Sequence, residues 1–210
     1  MRSSSKRVFF RDHVFAVDEN VYEPAEDSFL LAESLFVHGG DRVLDMGTGC
    51  GMLAVEAAAK GASVVAVDIS PYAVRCAKSN ARLNGVGDRV FPVQGDLFAP
   101  LKSGAEFDHV FFNAPYLPSK KTATSWLERA WNGGPSGRQI IDRFTLQVSE
   151  HLGRNGQVFL LQSTLCGVDE TLRKFEAQGL AADVVAERSL PFFETIVLVK
   201  ARRRTAQRVK

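Results

Sequence analysis

The stretch Arg42-Val43-Leu44-Asp45-Met46-Gly47-Thr48-Gly49-Cys50-Gly51 decides the fold. Its first half reads as a short apolar strand, and the glycines at alternate positions precede an Ala-rich helix predicted over Met52–Lys60. Glycine lets a backbone turn tightly and approach a ligand where a Cβ would collide, and a helix start offers free N–H groups. NAD and FAD domains carry a similar first turn, so the turn alone says little. Two features separate this one from theirs. The spacing is GxGxG rather than GxGxxG, and Asp45 stands just before the glycines. A carboxylate there would repel a pyrophosphate but suit a cationic amino group, such as that of S-adenosylmethionine.

Outward from this turn, strand and helix alternate. Ser63–Val67 reads as a strand, Pro71–Leu83 as a helix with proline in its first turn, and Arg89–Gln94 as a strand expected near a sheet edge. Asp108–Phe112 is another strand. Gln139–Leu152 reads as a helix ended by Asn155-Gly156, Gln157–Gln162 as a strand and Val168–Gln178 as a helix. Ala182–Ala186 and Thr195–Val199 look like an antiparallel pair. Upstream, Arg7–Phe10 and His13–Val17 suggest a hairpin, and Ser28–Phe36 a helix. Units of this length imply an α/β fold, a doubly wound, mostly parallel seven-stranded sheet with an antiparallel last pair. Its ligands are expected beyond the carboxyl ends of the strands, at the switch point in strand order.

The acids fall at those ends. Asp68 closes the second sheet strand, where a carboxylate can accept both ribose hydroxyls of a nucleoside. The third ends in Gly95-Asp96-Leu97, where an acid can take the adenine amino proton. Each acid alone could be a cap or turn residue. At the ends of successive strands, with the glycine loop at the first, they point together to S-adenosylmethionine and a Rossmann-like, class I methyltransferase architecture.

The fourth strand runs into Asn113-Ala114-Pro115-Tyr116. An amide or exocyclic amine is a poor nucleophile because its lone pair is delocalised. A site that methylates one must hold it in line with the methyl, accept its N–H bonds and tolerate positive charge on nitrogen. The Asn113 amide oxygen and the Ala114 carbonyl can accept those bonds. Pro115 stiffens the turn, and the Tyr116 ring can stack on a flat group.

Composition bounds the rest. A chain of 210 residues suits one α/β domain, and 45% hydrophobic with 24% charged residues is ordinary for a globular protein. No apolar run approaches the roughly 20 residues of a membrane helix, and Met1–Arg7 leads into no signal peptide. Cys50, Cys76 and Cys166 are odd in number and form no CxxC pair. This argues against a disulfide framework or a metal site and for a reducing, cytoplasmic setting. The net charge is only +2, yet the last eleven residues carry Lys200, Arg202, Arg203, Arg204, Arg208 and Lys210 without an acid. A solvated terminus and a docking patch for RNA both remain open there. Direct nucleic-acid binding is expected nowhere else.

Asn-Ala-Pro-Tyr resembles the Asn-Pro-Pro-Tyr signature of amino-group methyltransferases acting on glutamine or nucleobases, with Ala114 in place of the first proline. Alanine keeps the carbonyl and loses some rigidity. Two stretches resemble the HemK-related protein N5-glutamine methyltransferases: Val21-Tyr22-Glu23-Pro24-Ala25-Glu26-Asp27-Ser28-Phe29, and Ala130-Trp131-Asn132-Gly133-Gly134-Pro135-Ser136-Gly137-Arg138 with Asp142-Arg143-Phe144. More narrowly, they are similar to the short archaeal and eukaryotic class that modifies the GGQ glutamine of class I release factors. The resemblance spans about Val21 to Lys200.

It implies that Ser28 closes over the cofactor, that Asp45, Gly47, Gly49, Gly51, Asp68, Asp96 and Leu97 bind it with Asn113, and that Asn113, Ala114 and Tyr116 meet the substrate. Asn113, Pro115 and Tyr116 form the catalytic set, with no metal. Trp131 either shapes the entrance or is a core aromatic. The resemblance further implies a heterodimer with a small zinc-binding activator subunit. With about 40 residues before the first sheet strand, the helical substrate domain of bacterial relatives is expected to be absent. The expected layout is a hairpin and helix over residues 1–40, the methyltransferase domain over 41–200, and a basic tail over 201–210. Methylation of a nucleobase or of a protein lysine, and a catalytically silent scaffold, are the rival readings. Intact Asp45, Asp68 and Asn113 argue against the last.

Overall fold

The computed structural model describes residues 6–191 and 194–204. The sheet strands are β3 (Arg42–Met46), β4 (Ser63–Asp68), β5 (Val90–Gln94), β6 (Phe107–Asn113), β7 (Leu152–Ser163), β8 (Leu180–Ser189) and β9 (Thr195–Arg203), after a hairpin of β1 (Lys6–Phe10) and β2 (His13–Val17). They form one seven-stranded sheet in the order β5-β4-β3-β6-β7-β9-β8. From β5 to β7 neighbours run parallel, and β9 is antiparallel to both β7 and β8. Chain order reverses between β3 and β6, so their carboxyl ends flank the switch point. The β5 edge carries exposed Phe91.

The helices are α1 (Glu26–Glu33), α2 (Met52–Ala59), α3 (Pro71–Leu83), α4 (Trp126–Arg129), α5 (Gln139–Thr145) and α6 (Val168–Ala177). The α3 helix starts where Ser70 Oγ accepts the N–H groups of Tyr72 and Ala73 and Pro71 fills the first turn. The α2 helix is apolar on nearly every side, so it is buried, touching α1, α3 and the sheet. On β6, alternation sends Phe111 and Phe112 to opposite faces. Phe112 meets Phe144 of α5 with ring centroids 4.7 Å apart. Each buried phenylalanine of this kind contributes roughly 1.5–3 kcal/mol.

The one acid of α2, Glu56, is 2% exposed and is held by Arg11 and His13 from the hairpin. The rest of the hairpin is held by α3. Asn80 accepts from Ala16 N at 2.9 Å and donates to Ala16 O at 3.0 Å. Asn84, one helical turn on, does the same for Val14 at 3.1 and 2.9 Å. Two side-chain amides thus stand in for a neighbouring strand. Asn80 Nδ2 also donates to Cys50 O in the glycine loop at 2.8 Å.

Beyond a longer β8 and shifts of one residue elsewhere, three boundaries differ from the sequence reading. Helix α1 occupies Glu26–Glu33 rather than Ser28–Phe36, because Glu26 and Asp27 favour the positive end of the helix dipole and Ser34 Oγ turns back onto Leu30 O. The helix expected over Gln139–Leu152 stops at Thr145. A 3-10 turn (Val148–His151) follows, and Leu152 already pairs with Phe107 in the sheet. Asn155-Gly156, expected to end that helix, lies inside β7 near the register shift between Phe107 and His109. Finally, β9 continues to Arg203, three residues into the segment read as tail. There Arg203 donates to the carbonyls of Ser149 and Leu152. Residues 205–210 lie outside the described residues.

Candidate active site

A cavity of about 870 Å³ opens at the switch point, within the range of small-molecule sites. Ser28, Gly47, Gly49, Asp68, Asp96, Leu97, Asn113, Ala114, Pro115 and Tyr116 all reach its wall, as does Trp131. Two expected residues do not. Gly51 sits at the start of α2 with φ +84°, and a Cβ there would come 2.8 Å from Ala77 Cα. Its bareness serves the packing of the loop on α3.

Asp45 is the other, fully buried at the end of β3 and absent from the cavity wall. Thr48 donates to its Oδ2 at 2.6 Å, while Oδ1 is buried without a hydrogen-bond partner among the described residues. Burial pushes the carboxyl up to about 7, against the opposing effect of the Thr48 hydrogen bond. The folded protein therefore holds a proton that the unfolded chain has lost above about pH 4. The stability this contributes is complete below that pH and disappears as pH rises through about 7. Between pH 5 and 8 Asp45→Asn should show a flatter fall of Tm than the parent. Parallel curves would remove Asp45 from the titration.

Asp68 straps the loop. Its Oδ2 accepts from Gly49 N at 2.9 Å and its Oδ1 from Ser70 N at 2.8 Å, and burial raises its carboxyl above the usual range. Each oxygen keeps a lone pair for a further donor. Asp96 is more open and pairs with Arg143 Nη2 at 2.8 Å. Leu97 beside it is buried and has φ +48°.

At the reacting end β6 delivers Asn113. Its Nδ2 donates to Ser28 Oγ at 3.2 Å, and its Oδ1 is buried without a hydrogen-bond partner among the described residues. An orphaned buried acceptor is costly and calls for a donor. Tyr116 is buried and donates its hydroxyl to Asp27 Oδ2 at 3.4 Å, beside the Tyr22 hydroxyl at 3.2 Å. Burial and the Asp27 charge hold both phenols protonated, well above the usual range. Sequence reading passed over Asp27, although it lies in a quoted stretch beside Ser28. An acid next to the apolar run of α1 was the signal.

The segment after the reactive turn is fixed from outside. Leu117 N donates to Trp131 O and Gly133 N to Leu117 O, both at 2.9 Å, and Ser119 N to Gly134 O at 2.8 Å. Arg138, 5% exposed, anchors the far side of this segment. It donates to the carbonyls of Cys166 and Gly167, to Thr171 Oγ1 and to Asp142. Among the described residues, no cluster of His, Cys, Asp or Glu is arranged to hold a metal, and no helix is long and apolar enough to cross a membrane.

Asp68 and Asp96 at two strand ends on the cavity wall, the glycine loop beside them and an oxygen without a partner among the described residues at the far end fit S-adenosylmethionine beside a nitrogen substrate. The family model for the ribosomal protein L11 methyltransferase (PrmA) matches residues 28–114. A Methanocaldococcus jannaschii protein named for N5-glutamine methyltransferase activity is 41% identical over 85% of this chain and 90% of its own length. The human methyltransferase HEMK2 is 32% identical over 80% of this chain and 84% of its own. Among solved structures, the E. cuniculi Mtq2–Trm112 complex, described as methylating the eRF1 translation termination factor, aligns with TM-score 0.66 and 27% identity. The alignment covers 88% of this chain and 99% of that one. With this fold, this loop and these relatives, the chain belongs to the HemK-related protein N5-glutamine methyltransferases, enzymes that use S-adenosylmethionine.

Proposed function

We propose that this enzyme methylates the side-chain amide nitrogen of a protein glutamine, the GGQ glutamine of a class I release factor, in the cytoplasm. The observation that carries the reading is Asn113 Oδ1 at the end of β6, a buried acceptor without a partner among the described residues. A primary amide is a donor that fits it. The relatives' names support the same substrate.

Bound S-adenosylmethionine supplies an electrophilic methyl group. Asp68 would accept the ribose hydroxyls, Asp96 and Leu97 would line the adenine end, and Asp45, behind the cavity wall, would support the glycine loop through Thr48. Asn113 Oδ1 accepts one N–H of the glutamine amide and the Ala114 carbonyl the other. The nitrogen lone pair is thereby aimed, and charge developing on nitrogen meets two oxygens. Pro115 stiffens the turn, and the Tyr116 ring lies flat against the amide. Once nitrogen carries positive charge its proton is acidic enough to leave without a dedicated base. The test is incubation with labelled S-adenosylmethionine and a release factor, followed by mass-spectrometric mapping. Methyl on lysine or on nucleic acid, and none on glutamine, would overturn the reading.

Asp68→Ala should raise the cofactor dissociation constant roughly tenfold to a hundredfold in calorimetry, because it strands ribose hydroxyls and loosens Gly49. A change below about twofold would take the ribose away from Asp68.

The partner reading rests on β5. An edge strand with an exposed phenylalanine invites association, and Pro92 blocks only one position of it. A small zinc-binding activator subunit covering that edge makes the working enzyme a heterodimer, in keeping with the complex described for the E. cuniculi relative. The chain alone should be less soluble and less active than the chain with such a subunit. Monodispersity and full turnover without it would contradict this.

A further inference from the structure

Asp27 is 5% exposed in the first turn of α1, and four hydrogen bonds converge on it. Oδ1 accepts from Ser28 N at 2.6 Å and Ser28 Oγ at 3.1 Å. Oδ2 accepts from the hydroxyls of Tyr22 and Tyr116. A carboxylate accepts and cannot donate, and a serine hydroxyl has a single proton. Having given that proton to Asp27, Ser28 Oγ can only accept from Asn113. The group it faces must therefore be Nδ2, as the 3.2 Å contact has it. The other end of the same planar amide, Oδ1, is then the end left for the substrate. The two ends of an asparagine amide are nearly equal in shape, so packing alone cannot choose between them.

We propose that Asp27 is a positioning residue: through Ser28 it sets which end of the Asn113 amide meets the substrate, and through Tyr116 it holds the opposite wall of the reactive turn. The inference rests on the reading that Asn113 Oδ1 accepts an N–H of the glutamine amide. With the relay broken, Asn113 can turn its own N–H groups towards the substrate's, donor against donor. Ser28 thus has a task besides any contact with the cofactor.

The test compares Asp27→Ala, Ser28→Ala, the double variant and Ser28→Thr, with release factor as substrate. Each single alanine variant is expected to lower kcat between roughly tenfold and a hundredfold, with KM for the protein substrate changed less. The double variant should be no slower than the slower single one, since both cut the same relay. Ser28→Thr, which keeps the hydroxyl, should restore most of the rate. A second readout needs no turnover. The Asn113 side-chain amide signals in NMR, identified by their loss in Asn113→Asp, should shift and exchange faster in Ser28→Ala and Asp27→Ala. Losses that multiply in the double variant, or Asn113 signals unmoved in Ser28→Ala, would overturn the relay. If the parent enzyme itself fails to methylate glutamine, the functional reading falls, and the NMR comparison still decides the orientation of Asn113.

Discussion

Asn113→Ala is expected to abolish methyl transfer while leaving cofactor affinity within a few-fold. The substitution removes the buried oxygen that lacks a partner among the described residues and that the proposed reaction turns to the substrate, and it leaves Asp68 and its strap on Gly49 untouched. One contact that strengthens as charge develops is typically worth about 10²–10³ in rate. Losing Nδ2 also frees Ser28, so some loss of order around α1 is expected with it. Ala114→Pro makes the contrasting case. It restores the commoner residue of the signature and removes no acceptor, so activity should stay similar or rise slightly. Single-turnover rates on a release-factor substrate, with calorimetry for the cofactor, check both. Near-normal turnover by Asn113→Ala would show the reacting end to be misassigned, whatever the cofactor data said.

Gly137→Ala should damage the enzyme from outside the cavity. Gly137 has φ +74°, and a Cβ there would collide with the Tyr116 carbonyl oxygen and crowd Cys166 and Pro118. Left-handed backbone costs a non-glycine residue roughly 1–2 kcal/mol, and overpacking adds about 1–3 more. The expected destabilisation is therefore about 2–5 kcal/mol, a fall in Tm of roughly 5–15 °C for a chain of this size. Relief comes most easily by pushing the Tyr116 carbonyl away, which displaces the reactive turn. Turnover should drop even at temperatures where the variant is folded. A variant melting within about 2 °C of the parent would mean that the turn is softer than its hydrogen bonds suggest.

The order of strands and helices was legible because each element carries its own periodicity. The glycine turn at Gly47, the acids at the strand ends and the Asn-Ala-Pro-Tyr turn were legible because chemistry at a strand end needs particular residue types. What escaped depends on contacts between distant residues. The early stop of α5 at Thr145 follows from Leu152 pairing with Phe107, a contact across 45 residues that no local pattern announces. Gly51 was expected to clear space for a ligand, yet its neighbour is Ala77 on another helix. Asp27 looked like an ordinary first-turn acid. Its meaning needs Tyr116 and Ser28 beside it, and Tyr116 arrives from 89 residues further along the chain. Arg138 likewise appears as one more cation until the carbonyls of Cys166 and Gly167 are placed around it.

The side-chain amide of Asn80 touches Ala16 in the hairpin and the Cys50 carbonyl in the glycine loop at once. A fluctuation that peels β2 from α3 therefore leaves the Asn80 amide held on one side only, by the Cys50 carbonyl just ahead of Gly51. The local-opening equilibrium of the hairpin is thereby coupled to that of the loop through one side chain, although nothing in the hairpin's sequence refers to a nucleoside. A ligand that binds only the closed loop draws that equilibrium shut by mass action. Amide hydrogen exchange at Ala16 N–H, bonded to Asn80 rather than to any ligand, would then slow when cofactor is added, so the hairpin reports occupancy of a site it does not reach.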